Sequence, residues 1–328
     1  MTPPASGLSS SPKPSAVALA DATLQGDRGA LARLLTVVEN GGEEARVALS
    51  ALGASTGSAG IIGITGAPGA GKSTLTARII ERVRATDERV AVLAIDPTSP
   101  FTGGAILGDR VRMQAHDTDP DVFIRSMATR GHLGGLSRAT PQAIAVLEAA
   151  GYPWVLVETV GVGQVEVAVA RAADTVIVVV NPGWGDGVQA SKAGLLEIGD
   201  VFVVNKADRD GVSATRRDLE SMLSLAGTRA WRPPIIETVA TDGTGVDELW
   251  AAVTSHQEHL VSTGELVQRR QGRVREELRG IVLERFQAQA DAACSGEGFE
   301  NVVARVDARE LDPYAAAEQL LEGTGGNS

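Results

Sequence analysis

Residues 66–73 read Gly66-Ala67-Pro68-Gly69-Ala70-Gly71-Lys72-Ser73, the complete spacing G-x-x-x-x-G-K-[ST] of a phosphate-binding P-loop. Glycines let a backbone wrap closely around an anion, with successive N–H groups turned inward. An apolar run at 61–65 precedes the motif, and a helix-like stretch from Ser73 with Thr74 follows it. That strand–loop–helix context is what the pattern requires. The helix N-terminus adds the positive end of its dipole. Lys72 is expected to reach the β- and γ-phosphates, and the Ser73 hydroxyl to bind Mg²⁺.

A second string lies far downstream. Residues 205–208 read Asn205-Lys206-Ala207-Asp208, directly after the apolar run 201–204. An N-K-x-D tetrad at the end of a late strand is the guanine-reading signature of GTPases. The Asp208 carboxylate can accept from both N1–H and the 2-amino group of guanine. Adenine offers no 2-amino group and presents a lone pair at N1, so the carboxylate would be stranded. Asn205 is expected to tie the base to its loop, and the stem of Lys206 to lie over the ring. After the apolar run 235–239 comes Ala240, whose backbone N–H could meet guanine O6. GTPases often carry a serine before that alanine, and here Val239 stands in its place.

These residues need a scaffold that brings several strand ends together. Short Val/Ile-rich runs at 61–65, 90–95, 154–158, 175–180, 201–204 and 235–239 alternate with helical segments. Continuous rather than alternating apolar runs predict strands buried on both faces, as in a mainly parallel sheet covered by helices. The expected fold is therefore α/β and doubly wound. Residues 1–15 are rich in Pro and Ser and predict disorder without a secretory signal. Residues 16–54 form a helical extension with Leu24, Leu31, Leu34, Leu35 and Val38 at helical spacing. Residues 55–255 form the P-loop domain. Residues 256–328 form a helical region with too few large apolar residues for a core of its own, which suggests a homodimerisation arm.

The chain has 328 residues and a net charge of −11. That balance argues against nucleic acid or an anionic membrane as partner, since both select a basic face. No apolar run approaches the length that crosses a bilayer. The single cysteine, Cys294, leaves no internal disulfide, which fits a reducing cytosol, so a cytoplasmic location is expected. The four histidines are scattered rather than grouped at metal spacing.

Four glycine-bearing segments begin at or near expected strand ends: 95–113, 123–136, 158–164 and 181–194. Such loops can order around a γ-phosphate and relax after hydrolysis. Taken together, the strings DPTSPFTGGAILGDRVRM, ETVGVGQ and NKAD closely resemble the MeaB/ArgK family of P-loop GTPases. The resemblance runs from about residue 20 to about residue 325. It implies GTP and GDP as ligands, Mg²⁺ as cofactor, and an adenosylcobalamin-dependent acyl-CoA mutase as client. It also implies an N-terminal helical extension and a C-terminal arm that makes a homodimer. By position, Ser73, Asp96, Asp109 and Glu158 resemble the family's Mg²⁺ group, and hydroxyl and carboxylate oxygens are hard ligands suited to that ion. Asp96 is expected at the end of a strand beside the P-loop. Gly161 stands where an N–H would meet the γ-phosphate. Lys192 resembles the lysine of a client-responsive loop, which could stabilise transition-state charge as an arginine finger does. Gln164 lies too far past Glu158 for the water-positioning role, so intrinsic hydrolysis is expected to be slow and partner-stimulated.

The implied function is a GTP-hydrolysing chaperone that gates cofactor loading and protection of an acyl-CoA mutase. A nickel-insertion chaperone would bring a His-rich tract or Cys-x-x-Cys, and a P-loop small-molecule kinase would have no use for the N-K-x-D tetrad.

Overall fold

The computed structural model describes residues 14–53, 57–96, 116, 118–128, 139–159, 165–184, 189–225 and 230–324. Seven strands form one all-parallel sheet: β1 (Gly60–Gly66), β2 (Val90–Asp96), β3 (Val122–Ala128), β4 (Trp154–Thr159), β5 (Thr175–Val180), β6 (Val201–Asn205) and β7 (Ile235–Thr238). Their spatial order is β3-β2-β4-β1-β5-β6-β7, so the P-loop strand β1 lies at the centre between β4 and β5.

Successive side chains of these strands enter opposite layers. Ile62, Ile64, Val92, Leu156, Ile177 and Val203 pack with α4 (Lys72–Arg84) and α9 (Val246–Thr263). Ile61, Leu93, Val155, Val178 and Phe202 pack on the other face. That face is covered by α5 (Ala139–Ala149), α6 (Val165–Ala172), α7 (Gln189–Ile198) and α8 (Val212–Leu225). Burial on both sides is why the strands read as unbroken apolar runs. The expected doubly wound α/β architecture is the one found.

Strand β3 was not foreseen, because residues 123–128 fell within an expected loop. Arg125 and Ser126 interrupt its apolar pattern. The strand is at the sheet edge, and Arg125 donates to Thr36 Oγ1 (3.1 Å) and Glu39 Oε2 (2.8 Å) of a helix laid over it. That helix is α2 (Arg28–Asn40), capped by Asp27, whose carboxylate accepts from Ala30 N at 2.9 Å. With α1 (Ala16–Leu24) and α3 (Gly42–Leu52) it supplies Leu19, Leu31, Leu34, Leu35, Val38 and Leu52 to the same core as the sheet. The N-terminal helices are thus continuous with the central core. Leu24, by contrast, is exposed.

The chain divides into two compact units at Val267/Gln268. The boundary expected at 255/256 falls inside α9, where His256 and Leu260 are fully buried. His256 Nδ1 meets Thr175 Oγ1 at 2.8 Å. Helix α10 (Glu265–Ala293) begins in the first unit and continues through the second, followed by α11 (Gly296–Asp307) and α12 (Pro313–Thr324). Val302 of α11 and Ala316 of α12 are buried, while Val274, Leu278, Val282, Leu283 and Phe286 of α10 are exposed. Among the described residues no helix is long and apolar enough to cross a membrane.

Because Leu34 is fully buried in the shared core, Leu34→Ala should lower stability by about 3 kcal/mol. Urea unfolding followed by circular dichroism measures this, and a change below about 1 kcal/mol would mean the N-terminal helices do not share the core.

Candidate nucleotide-binding site

The site is built on the C-terminal ends of the central strands. At the end of β1, Gly66 has φ 130°, and a Cβ there would sit 2.0 Å from the Val179 carbonyl oxygen of β5. The next N–H, that of Ala67, donates to the same carbonyl at 3.1 Å. The loop therefore leaves the sheet pressed against its neighbouring strand, which only glycine allows. Pro68 and Gly69 are exposed at the tip, and Ala70 turns back into the core. Gly71, at φ 93°, caps the N-terminus of α4.

Lys72 and Ser73 open that helix and are both buried. The Lys72 ammonium donates to the carbonyls of Gly66 and Ala67, each at 3.0 Å, and so lies across the loop. The Lys206 ammonium donates to Gly69 O at 2.7 Å. The helix N-terminus and two ammonium groups thus concentrate positive potential around one small loop, as a polyphosphate requires. Thr74 follows, half-buried.

The base-reading string is tied to this loop. Asn205, the last residue of β6, is 2% exposed. Its amide nitrogen donates to Ala70 O at 2.7 Å, and its amide oxygen accepts from Thr238 Oγ1 (3.0 Å) and from Ala240 N (3.1 Å). Lys206 takes φ 62°, a left-handed conformation that costs a non-glycine residue on the order of 1 kcal/mol. The Ala207 N–H then bonds Thr238 O at 3.0 Å, and Asp208 stands exposed beyond it. Ala240 is brought beside this string as expected, but its N–H is already engaged by Asn205. Asp242 closes the second loop, and the Thr244 N–H donating to it at 2.9 Å holds its carboxyl below the ordinary 3.8.

Among the described residues, Glu158 is the expected acid seen at the P-loop. It sits on β4 in register with Ile64 of β1, is 1% exposed, and accepts from Ser73 Oγ at 2.6 Å. Asp96 ends β2, and the sheet order inserts β4 between β2 and β1. Glu158 thus lies on the strand that directly adjoins β1, and Asp96 ends the next strand out. The side chain of Asp96, and all of Asp109, Gly161 and Gln164, lie outside the described residues. Lys192 lies on α7, and its side chain is likewise outside them. Ser73 and Glu158 present adjoining hard oxygens of the kind Mg²⁺ takes. Among the described residues there is no cluster of three or more His, Cys, Asp or Glu that would hold a metal by protein ligands alone. A two-oxygen protein contribution fits an ion that completes its shell with phosphate and water.

Three residues escaped the sequence reading. Thr65 and Thr159, at the ends of β1 and β4, are buried and joined hydroxyl to hydroxyl at 3.1 Å. Thr238, fully buried, braces Asn205. A threonine at or next to the C-terminal end of a strand is common to all three. The frame also makes Gly71 irreplaceable, because a Cβ there would lie 2.4 Å from Asn205 Nδ2 and the φ of 93° disfavours any side chain. Gly71→Ala should weaken GDP binding by at least about tenfold, from left-handed strain and displacement of Asn205. Isothermal titration measures it, and unchanged affinity would show that the Asn205 tie is dispensable.

The comparisons with known proteins agree with this geometry. The family model described as methylmalonyl-CoA mutase-associated GTPase MeaB matches residues 31–295. A Pyrococcus abyssi protein carrying the name of a GTPase is 51% identical over 302 residues, 91% of this chain and 93% of the relative. GTPase ArgK of Escherichia coli is 39% identical over 256 residues, 75% of this chain and 77% of its own. The mouse mitochondrial methylmalonic aciduria type A homolog is 39% identical over 208 residues, 62% of this chain and 50% of its own. A crystal structure of an LAO/AO transport system kinase superposes with a TM-score of 0.68 at 29% identity, covering 94% of this chain and 96% of that one. With a P-loop locked to a guanine-reading string and a family model spanning most of its length, the chain belongs to the MeaB family of GTPases, and its activity is GTP hydrolysis.

Proposed function

We propose that this GTPase is a chaperone of an adenosylcobalamin-dependent acyl-CoA mutase of the methylmalonyl-CoA mutase type, gating cofactor loading and protecting the loaded enzyme. The observation that carries the reading is the family match over residues 31–295, which takes in the whole nucleotide frame and continues into α10. The mouse relative bears a name tied to methylmalonic aciduria, in keeping with such a client. A P-loop small-molecule kinase would gain nothing from the tie between Asn205 and the P-loop beside an exposed Asp208.

The chemistry divides among named groups. The 66–73 backbone and Lys72 bind the β- and γ-phosphates and offset their charge. Asp208 accepts from guanine, and Asn205 holds its string in place. Mg²⁺, held by Ser73 and Glu158 with Asp96 and Asp109 as further candidate ligands, would supply charge neutralisation at the β- and γ-oxygens. Gly161 is proposed to donate its N–H to the γ-phosphate. Lys192 is proposed as the cation that stabilises transition-state charge once the client binds. The exposed apolar side chains of α10 support a homodimer through the C-terminal helices. The nickel-chaperone alternative has no support from a metal cluster among the described residues.

Wild-type protein should prefer GDP to ADP by at least ~100-fold, and Asp208→Asn should move that preference toward xanthine nucleotides, because the amide replaces an acceptor with a donor. Equal wild-type affinity for GDP and ADP in titration calorimetry would sink the guanine assignment. Adding the cognate mutase should raise the slow GTP turnover by ~10²–10⁴-fold, and Lys192→Ala should lose most of that rise. If no acyl-CoA mutase accelerates turnover at saturating GTP, the chaperone reading fails and the GTPase stands alone.

A further inference from the structure

Helix α4 carries an arginine that the P-loop chemistry does not use. Arg78 lies six residues after Lys72 on the same helix. Its Nε donates to Ala240 O at 3.0 Å and its Nη2 to Thr241 O at 2.5 Å, while Nη1 pairs with Glu81 at 2.8 Å. One planar guanidinium thus grips two successive carbonyls of the loop that follows β7. A rigid fork of this kind fixes orientation as well as distance, which an ammonium on a flexible stem does not.

The grip falls on the residue that the base site depends on. Ala240 is 3% exposed and is held from two directions: its N–H by Asn205 Oδ1 and its C=O by Arg78. The 240–241 peptide is trans, so the Ala240 C=O and the Thr241 N–H point in opposite directions across one plane. Drawing the Ala240 oxygen onto α4 therefore turns the Thr241 N–H away from α4. The other amides of this turn are spent within it. Asp242 and Gly243 donate to Val239 O, and Thr244 donates to the Asp242 carboxylate. The 240–241 peptide is consequently held at its C=O by Arg78, and the preceding 239–240 peptide at its N–H by Asn205.

We propose that Arg78 is a positioning residue for guanine recognition. It ties the loop facing the base to the same helix whose first turn carries Lys72 and Ser73, so that the phosphate end and the base end of the nucleotide are registered against one rigid element. The inference rests on the guanine site described above and deepens it. It assigns base selectivity to a side chain that touches neither base nor phosphate.

A neighbouring arginine provides the control. Arg82, one turn further along α4, pairs with Asp247 at 2.6 Å at the start of α9. It joins α4 to α9 without touching the 240–241 carbonyls. The experiment titrates full-length wild type, Arg78→Ala, Arg78→Lys and Arg82→Ala with GDP, ADP and inorganic pyrophosphate. Arg78→Ala should weaken GDP about ten- to fiftyfold and lower the GDP:ADP ratio by a similar factor, with pyrophosphate affinity unchanged. Arg78→Lys, able to hold one carbonyl but not the fork, should fall between it and wild type. Arg82→Ala should keep the wild-type ratio. The proposal is overturned if Arg78→Ala weakens GDP and pyrophosphate alike, or if Arg82→Ala moves selectivity as far. A wild type that binds GDP and ADP equally would instead overturn the base site itself, and this inference with it.

Discussion

The side-chain amide of Asn205 is the interaction on which the site depends. It spends its nitrogen on the P-loop, at Ala70 O, and its oxygen on Thr238 and Ala240. Three segments distant in sequence are joined by one buried group, and none of the three bonds is replaceable by water at 2% exposure. The surrounding residues are fitted to it. Gly71 lacks a Cβ because Asn205 occupies that space, and Lys206 accepts a left-handed backbone directly after it. From that position the Lys206 ammonium returns to Gly69. The strain at Lys206 is repaid by a charge-assisted hydrogen bond, typically stronger than a neutral one.

The sheet makes this junction possible by its order rather than its content. Placing β1 between β4 and β5 sets the P-loop beside Glu158 on one flank and Val179 on the other. Both layers around it are filled, one by α4 and α9, the other by α5–α8 with the N-terminal helices. A strand end held from both faces does not shift when a ligand presses on it, and close packing transmits rather than absorbs small displacements. The Arg125–Glu39 pair extends the same logic to the sheet edge. There α2 covers β3, and Arg125 of that strand meets Thr36 and Glu39.

What the sequence disclosed follows from locality. The P-loop and the N-K-x-D string carry their chemistry within eight and four consecutive residues, so their meaning survives without knowledge of the fold. The central strands were legible because two-sided burial leaves unbroken apolar runs. Strand β3 was hidden because Arg125 interrupts its apolar run and makes sense only once α2 is known to lie across it. That β4 rather than β2 adjoins β1 could not be read from sequence, since only the spatial order of the strands decides it. The end of the first unit was misjudged for a similar reason. His256 looks like a surface histidine on a charged helix until Thr175 and Trp231 are seen against it.

A constraint on mechanism follows from which contacts the rigid frame can make. In the proposed function Lys72, Asn205, Lys206 and Asp208 would serve the base, the β-phosphate and the approach to the γ-phosphate, and most of these groups are common to GTP and GDP. Interactions shared by two ligands cannot shift an equilibrium between states that respond to them differently. The frame therefore supplies affinity and base choice, while the distinction between triphosphate and diphosphate must come from groups that meet the γ-phosphate alone. The sheet leaves few ways to reach it. Such groups must follow the strand ends adjoining β1, which are those of β4 and β5, or the next strand out, β2. Segments leaving β2, β4 and β5 are among the four whose glycine and polar content marks them in the sequence. A client that acts on turnover would do so by ordering those segments against a base-and-phosphate frame that is already complete without it.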